Sequence, residues 1–204
     1  SAINMHERQI VHYGKTDVSI ASYFDNGFRE PVNKFFDDHG FGQSIVINRD
    51  NRDGTPFSIG DTDIENMILV KHKGINLPIP FAQESVGNQN LLRILPVFLT
   101  VIHNGGMLLI DDFSGAFHND LESLLVRYFM EKSNHSQLLF VSHSTNLLSN
   151  SILRPDQEYS VEFRNEEGSS VKRFSLEQPR SAQNIEKIYL SGVFGGLPDY
   201  GDIR

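Results

Sequence analysis

Cysteine is absent from the 204 residues, which excludes disulfides and thiolate metal sites. The absence fits a reducing compartment without requiring one. Long apolar runs are absent too. None approaches the roughly 18–20 residues that span a bilayer, and the N-terminus lacks the apolar core of a signal peptide. A cytoplasmic protein with no membrane partner is the expectation. Basic charge is in deficit: 18 Lys and Arg stand against 26 Asp and Glu, for a net charge of −8, and no dense Lys/Arg cluster occurs. DNA could still be touched through a local patch, but charge lends it no support. Repeats and low-complexity tracts are missing. His6, His12, His39, His72, His103 and His135 show no metal-ligand spacing, which argues against a zinc site.

What remains is the composition of an ordinary folded chain, long enough for one large domain or two small ones. The front third is weakly patterned. Val18, Ile20, Ala21, Phe24 and Phe28 recur in a loosely helical way across residues 17–39, with Pro31 as an interruption. Ser44 to Ile47 and Asn66 to Val70 read as short strands around a turn-rich stretch containing Asp53-Gly54 and Pro56. Leu77 to Phe81 alternates apolar residues with proline, as an edge segment does.

From residue 83 the pattern sharpens. Leu91, Leu92, Leu95, Phe98, Leu99 and Ile102 share one helical face, with Pro96 expected to bend the helix. Gly105-Gly106 breaks the chain, and Met107 to Ile110 reads as a strand buried on both faces of a parallel sheet. A helix is expected from about Phe117 to Met130, then a second buried strand from Gln137 to Val141, completing a βαβ unit. Tyr159, Val161 and Phe163 alternate, and Val171 to Phe174 returns as the partner strand of a hairpin. A helix around Ala182 to Leu190 and a glycine-rich tail close the chain.

Three segments carry candidate chemistry. Asp111-Asp112 ends the first buried strand, at the edge where open parallel sheets bind ligands, and suits Mg²⁺ held through water. Two acids capping the next helix would look the same. His143, within Val141-Ser142-His143-Ser144, ends the second strand on that same edge, where an imidazole could meet a phosphate oxygen or orient a water. Alternatively Ser142 or Ser144 caps the helix of Thr145 to Leu148 and His143 is a bystander. Glu84-Ser85-Val86-Gly87-Asn88-Gln89 opens the amphipathic helix; Ser and Gly there expose backbone N–H groups and the positive helix end, an anion site or a plain N-cap.

Taken in order, these segments resemble an ABC-type ATPase. Glu84-Ser-Val-Gly-Asn, Gly106-Met-Leu-Leu-Ile-Asp-Asp-Phe with Phe117-His118, and Leu139-Phe-Val-Ser-His-Ser-Thr-Asn-Leu-Leu148 are similar to the abortive-infection class of AAA/ABC-like ATPases, bacterial proteins associated with phage defence. The tail from Asn184 to Pro198 resembles that class as well. The resemblance implies an α/β fold: the C-terminal lobe of an ABC-type P-loop ATPase head, with a mainly parallel sheet flanked by helices and a β-hairpin near the C-terminus. Residues 83–204 would form that lobe, behind a helical and β segment over 1–82.

The resemblance also implies ATP and Mg²⁺ as cofactors and a head-to-tail homodimer with ATP between the subunits. Ser85, Gly87 and Asn88 would be the signature contacts to the partner's nucleotide. Asp111 would hold Mg²⁺ through water, Asp112 would take the place of the family's catalytic glutamate, and His143 would be the switch histidine. Two departures stand out. Asp112 is one methylene shorter than Glu, a shortfall of about an ångström that can cost about 10²-fold in rate. Ser114 replaces an acidic residue found in many relatives. Tyr13-Gly14-Lys15-Thr16 is a poor phosphate loop, with Gln9 at the first glycine position and Val11, His12 and Tyr13 where backbone must approach phosphate. The chain therefore reads as a lobe that needs a Walker A lobe as partner, inactive alone. A nuclease or other effector would be a separate component. A degenerate dimerisation or nucleotide-sensing module is the competing reading.

Overall fold

In the computed structural model, residues 2–4, 9–11, 27–47, 68–149, 152–164, 168–180 and 183–197 are described. The elements are β1 (Ala2–Asn4), β2 (Gln9–Val11), α1 (Arg29–Asp38), β3 (Gln43–Ile47), β4 (Ile68–His72), β5 (Ile79–Pro80), α2 (Val86–Asn104), β6 (Gly106–Asp111), α3 (Asn119–Lys132), β7 (Ser136–Phe140), α4 (Asn146–Ser149), β8 (Tyr159–Arg164), β9 (Gly168–Arg173) and α5 (Ile185–Leu190). Short 3-10 turns cover Phe81–Gln83, Phe113–Ala116 and Phe174–Glu177. The candidate phosphate loop Tyr13 to Thr16 and the turn around Asp53-Gly54 and Pro56 lie outside the described residues. Two compact units emerge: Ser1–His118 with Tyr128–His143, and Asn119–Arg127 with Ser144–Arg204.

The first unit is built on α2. Its apolar residues surround the helix rather than marking one stripe: Leu91, Leu92, Ile94, Leu95, Val97 and Phe98 are all buried. A helix apolar all round needs cover on several sides, and α1 and β6 both pack on it. Pro96 sits inside the helix, and the Thr100 hydroxyl donates to the Pro96 carbonyl at 2.6 Å. Pro31, expected to interrupt its helix, lies in the first turn of α1, where proline is tolerated. Phe35 and Phe36 of α1 are buried; Phe35 meets Tyr128 edge-on at 5.1 Å, and Phe98 meets Phe129 at 5.7 Å.

The main sheet has the order β2-β1-β6-β7. β1 and β7 both run parallel to β6, and β2 is an antiparallel edge. The parallel character matches expectation, with one correction. Leu108 and Ile110 are buried, but Met107 and Leu109 are 45% and 37% exposed, as is Leu139 at 58%. Side chains alternate across a strand, so only one face of β6 lies against α2. A separate antiparallel sheet, β3-β4-β5, pairs Ile45 with Val70 and places the proline-containing β5 at its edge.

The second unit holds the hairpin β8-β9, with Tyr159 opposite Arg173 and Val161 opposite Val171. Its polarity is inverted: Val161 and Phe163 are exposed, whereas Glu158 and Ser160 are buried. The inward face meets the glycine tail. Ser160 donates to the Phe194 carbonyl at 2.6 Å, and a Cβ on Gly196 would lie 3.0 Å from the Ser160 Cβ. The Phe194 ring stacks on Phe174 at 4.0 Å. α5 starts at Ile185, capped by Asn184, whose side chain accepts from Lys187 N at 2.9 Å.

Burial raises the Glu158 carboxyl from 4.5 to about 7, and its Oε2 has no hydrogen-bond partner among the described residues. A carboxyl whose folded pKa is raised stabilises fully below its unfolded pKa. That contribution is lost as pH climbs to the folded value. The expected result is a fall in stability of up to about 3 kcal/mol between pH 4.5 and 7, flat above. Urea unfolding of Glu158→Gln should therefore match the parent near pH 4.5 and exceed it at pH 8; equal curves at pH 8 would refute the assignment.

Candidate functional site

Parallel pairing puts the ends of β6 and β7 side by side. Ile110 aligns with Phe140, and the pairing runs on as Val141 N donates to Ile110 O at 2.9 Å. Phe113 N then donates to Val141 O at 2.8 Å. Asp111, Asp112 and His143 thus leave the same sheet edge. The two loops are also tied by side chain, since His143 N donates to Ser114 Oγ at 2.8 Å. Beneath them Phe113 is fully buried, its ring 4.9 Å from Phe140 and 5.7 Å from Phe117.

Asp111 is exposed at the strand end, and its Oδ1 accepts from Asp112 N at 3.1 Å. The other carboxylate oxygen is a hard donor suited to Mg²⁺. Among the described residues no cluster of three or more His, Asp or Glu side chains could hold a metal. A cation here would draw its remaining ligands from water and phosphate, as Mg²⁺ commonly does. Asp112 adopts a left-handed backbone, φ 53° and ψ 49°, uncommon outside glycine though tolerated by Asp and Asn. Gly115 N donates to Asp112 O at 3.1 Å, and a Cβ at Gly115 would collide with the Asp112 carboxylate. The carboxylate is therefore folded over its own turn. Sequence reasoning noted Ser114 only as a missing acid and overlooked Gly115; the one available signal was a glycine three residues beyond the acid.

The second cluster lies at the N-terminus of α2. Ser85 is the N-cap, its hydroxyl oxygen accepting from Asn88 N at 3.2 Å, and Gln89 N donates to Ser85 O at 2.9 Å. Among the described residues the Ser85 hydroxyl has no acceptor for its proton, and the N–H groups of Val86 and Gly87 fall in the first turn, where helices provide no acceptor. Ser85 is exposed and Gly87 half-buried. The Asn88 side chain is engaged internally. Its Nδ2 donates to Glu84 Oε2 at 2.8 Å and to Gln43 Oε1 at 3.0 Å, and its Oδ1 accepts from Gln43 Nε2 at 2.9 Å. His72 Nε2 lies 2.7 Å from Glu84 Oε1. The six predicted residues thus form two groups, Asp111, Asp112 and His143 at the sheet edge and Ser85, Gly87 and Asn88 at the helix start.

The mainly parallel sheet flanked by helices and followed by an antiparallel hairpin is the fold that the resemblance to ABC-type ATPase heads implies. Twenty-four chains of solved structures match this one. One of them, described as "Structural biochemistry of ATP-driven dimerization and DNA stimulated activation of SMC ATPases", has a TM-score of 0.52 over 84% of this chain and 96% of that chain, at 17% identity. At that identity the likeness is one of fold. Residues 7–149 match the family described as "AAA domain, putative AbiEii toxin, Type IV TA system", and the chain belongs to that family. It is an AAA-type ATPase domain. No curated protein matches it.

Proposed function

We propose that this chain is the C-terminal lobe of an ATPase head that closes over ATP in a head-to-tail homodimer, in a cytoplasmic phage-defence system. The observation that carries the reading is the double tie between the two loops: Phe113 N to Val141 O, and His143 N to Ser114 Oγ. It makes one unit of the acid loop and the histidine loop, so a contact felt at His143 is passed to Asp111 and Asp112. No helix among the described residues is long and apolar enough to cross a membrane.

In this reading Asp111 holds Mg²⁺ through water, Asp112 orients the attacking water, and His143 contacts the γ-phosphoryl group. ATP and Mg²⁺ supply the reacting phosphoryl group and its charge neutralisation. Phosphoryl transfer asks the protein mainly for positioning and electrostatics, which hydrogen-bonded strand ends provide. Ser85, through its hydroxyl, and Gly87, through its N–H, face the partner's nucleotide, while Asn88 holds their turn. The phosphate cradle comes from a Walker A lobe. Residues 83–204 carry the proposed contacts, and the segment 1–82 completes their support, with β1 paired to β6 and with His72 and Gln43 holding the Ser85 turn. Any nuclease or other effector is a further partner, and the net charge of −8 gives DNA no support.

One observation favours a second reading, a non-hydrolysing dimerisation or sensing module: the Asp112 carboxylate lies over Gly115, on its own turn. Turnover by the head with its Walker A lobe present separates the two. Under the hydrolase reading Asp111→Ala abolishes Mg²⁺-dependent turnover, and Asp112→Glu raises it about 10²-fold by restoring the missing reach. Undetectable turnover in both the parent and Asp112→Glu, with ATP-dependent dimerisation intact, would establish the sensing module instead.

A further inference from the structure

The turn that carries Ser85 is fastened to the β3-β4-β5 sheet by a carboxylate that the functional reading leaves unused. The Glu84 side chain is 6% exposed. One oxygen meets His72 of β4 at 2.7 Å, and the other accepts from Asn88 in the first turn of α2 at 2.8 Å. Asn88 in turn exchanges two amide hydrogen bonds with Gln43 of β3. Gln89 adds a backbone strap, its Nε2 donating to Glu84 O at 2.9 Å and to Ala82 O at 3.2 Å.

Capping the helix requires none of this, because Ser85 already caps it. A carboxylate buried at a helix start is costly unless paired and hydrogen-bonded, and here both oxygens are engaged. The arrangement aims the turn: the Glu84 and Asn88 side chains bind inward to two strands, which leaves the Ser85 hydroxyl and the Val86 and Gly87 N–H groups on the outer side. Preorganised donors bind an anion without reorganising first.

We propose that Glu84 is a positioning residue, a buried bridge between His72 and Asn88 that holds the helix-start donors at a set angle to the antiparallel sheet for a nucleotide phosphate. The proposal rests on the reading of Ser85 and Gly87 as phosphate contacts. Glutamine can reproduce the bridge, accepting from Asn88 and donating to His72, whereas alanine cannot. Charge supplies a second consequence. His72→Ala leaves the carboxylate short of a partner beside an anion site, so it weakens phosphate binding more than Glu84→Gln does.

The test is ATP-dependent dimerisation of the whole ATPase with Mg²⁺, read by sedimentation, together with turnover wherever the parent has it. Glu84→Ala should raise the half-saturating ATP concentration about tenfold or more with kcat little changed, the pattern of lost ground-state positioning. Glu84→Gln should return it to within about threefold. In a Ser85→Ala background Glu84→Ala should add clearly less than its loss in the parent, because residues acting on one contact are non-additive. Where Glu84→Ala fails to fold by circular dichroism, Glu84→Asp takes its place with the same expected loss. If Ser85→Ala leaves dimerisation unchanged, the phosphate reading itself falls. If Ser85→Ala impairs it and Glu84→Ala does not, or the two losses add, Glu84 has only a structural role.

Discussion

Under the proposed hydrolase reading, replacing Asp112 with asparagine should lower ATP turnover of the assembled head by about 10²- to 10³-fold, the usual worth of a general base that orients and deprotonates water. ATP-dependent dimerisation should survive, because the side chain is read as acting on the water and not on the nucleotide. The substitution is nearly isosteric and keeps the left-handed turn, which Asn tolerates as well as Asp. It also keeps the fold of the side chain over Gly115, where a Cβ would collide. The measurement is therefore close to a pure change of charge and proton affinity. Unchanged turnover in Asp112→Asn would remove Asp112 from the chemistry.

Replacing Phe113 with alanine should destabilise the chain by about 3–5 kcal/mol, the cost of deleting a fully buried phenyl ring. For a chain of this size that lowers the melting temperature by roughly 10 °C. Phe113 is fully buried, with Phe140 and Phe117 on either side of it. Its backbone N–H also makes the bond to Val141 that joins the two loops. Turnover of the folded fraction should fall along with stability, since a cavity under this bond loosens Asp112 and His143 together. Phe98→Ala is the control, an equally buried ring in the middle of α2. It should cost similar stability while leaving turnover per folded molecule unchanged. Matching turnover losses in the two variants would mean that Phe113 contributes packing alone.

Much of the scaffold is visible in local pattern. The apolar run ending in Asp111, the second run ending near His143, the Ser85 cap and the alternating hairpin residues all became the expected elements. Each depends on periodicity or on a cap reaching three residues ahead, and those signals survive in a bare chain. Other features escaped. The helix expected from about Phe117 to Met130 gave no sign that Glu122 is buried along with Val126. Burial pushes the Glu122 carboxyl up, partly opposed by the Ser144 hydroxyl; a charged residue signals a solvated face when read alone. The exposure of Met107 and Leu109 was equally hidden, because a short apolar run looks the same whether one face or two are covered.

From the amino-acid order alone came the element types, the parallel strand pair, the acids and imidazole at strand ends and the serine at a helix start. Tertiary structure decided which of those groups touch. Ser114 meets His143 across 29 positions and Gln43 meets Asn88 across 45, and it is the fold that buries the Glu84 carboxylate between His72 and Asn88. Periodicity reports which way a residue faces on its own helix or strand. It carries no information about which distant backbone will arrive opposite, since that depends on the pairing of whole strands and the helix packed against them.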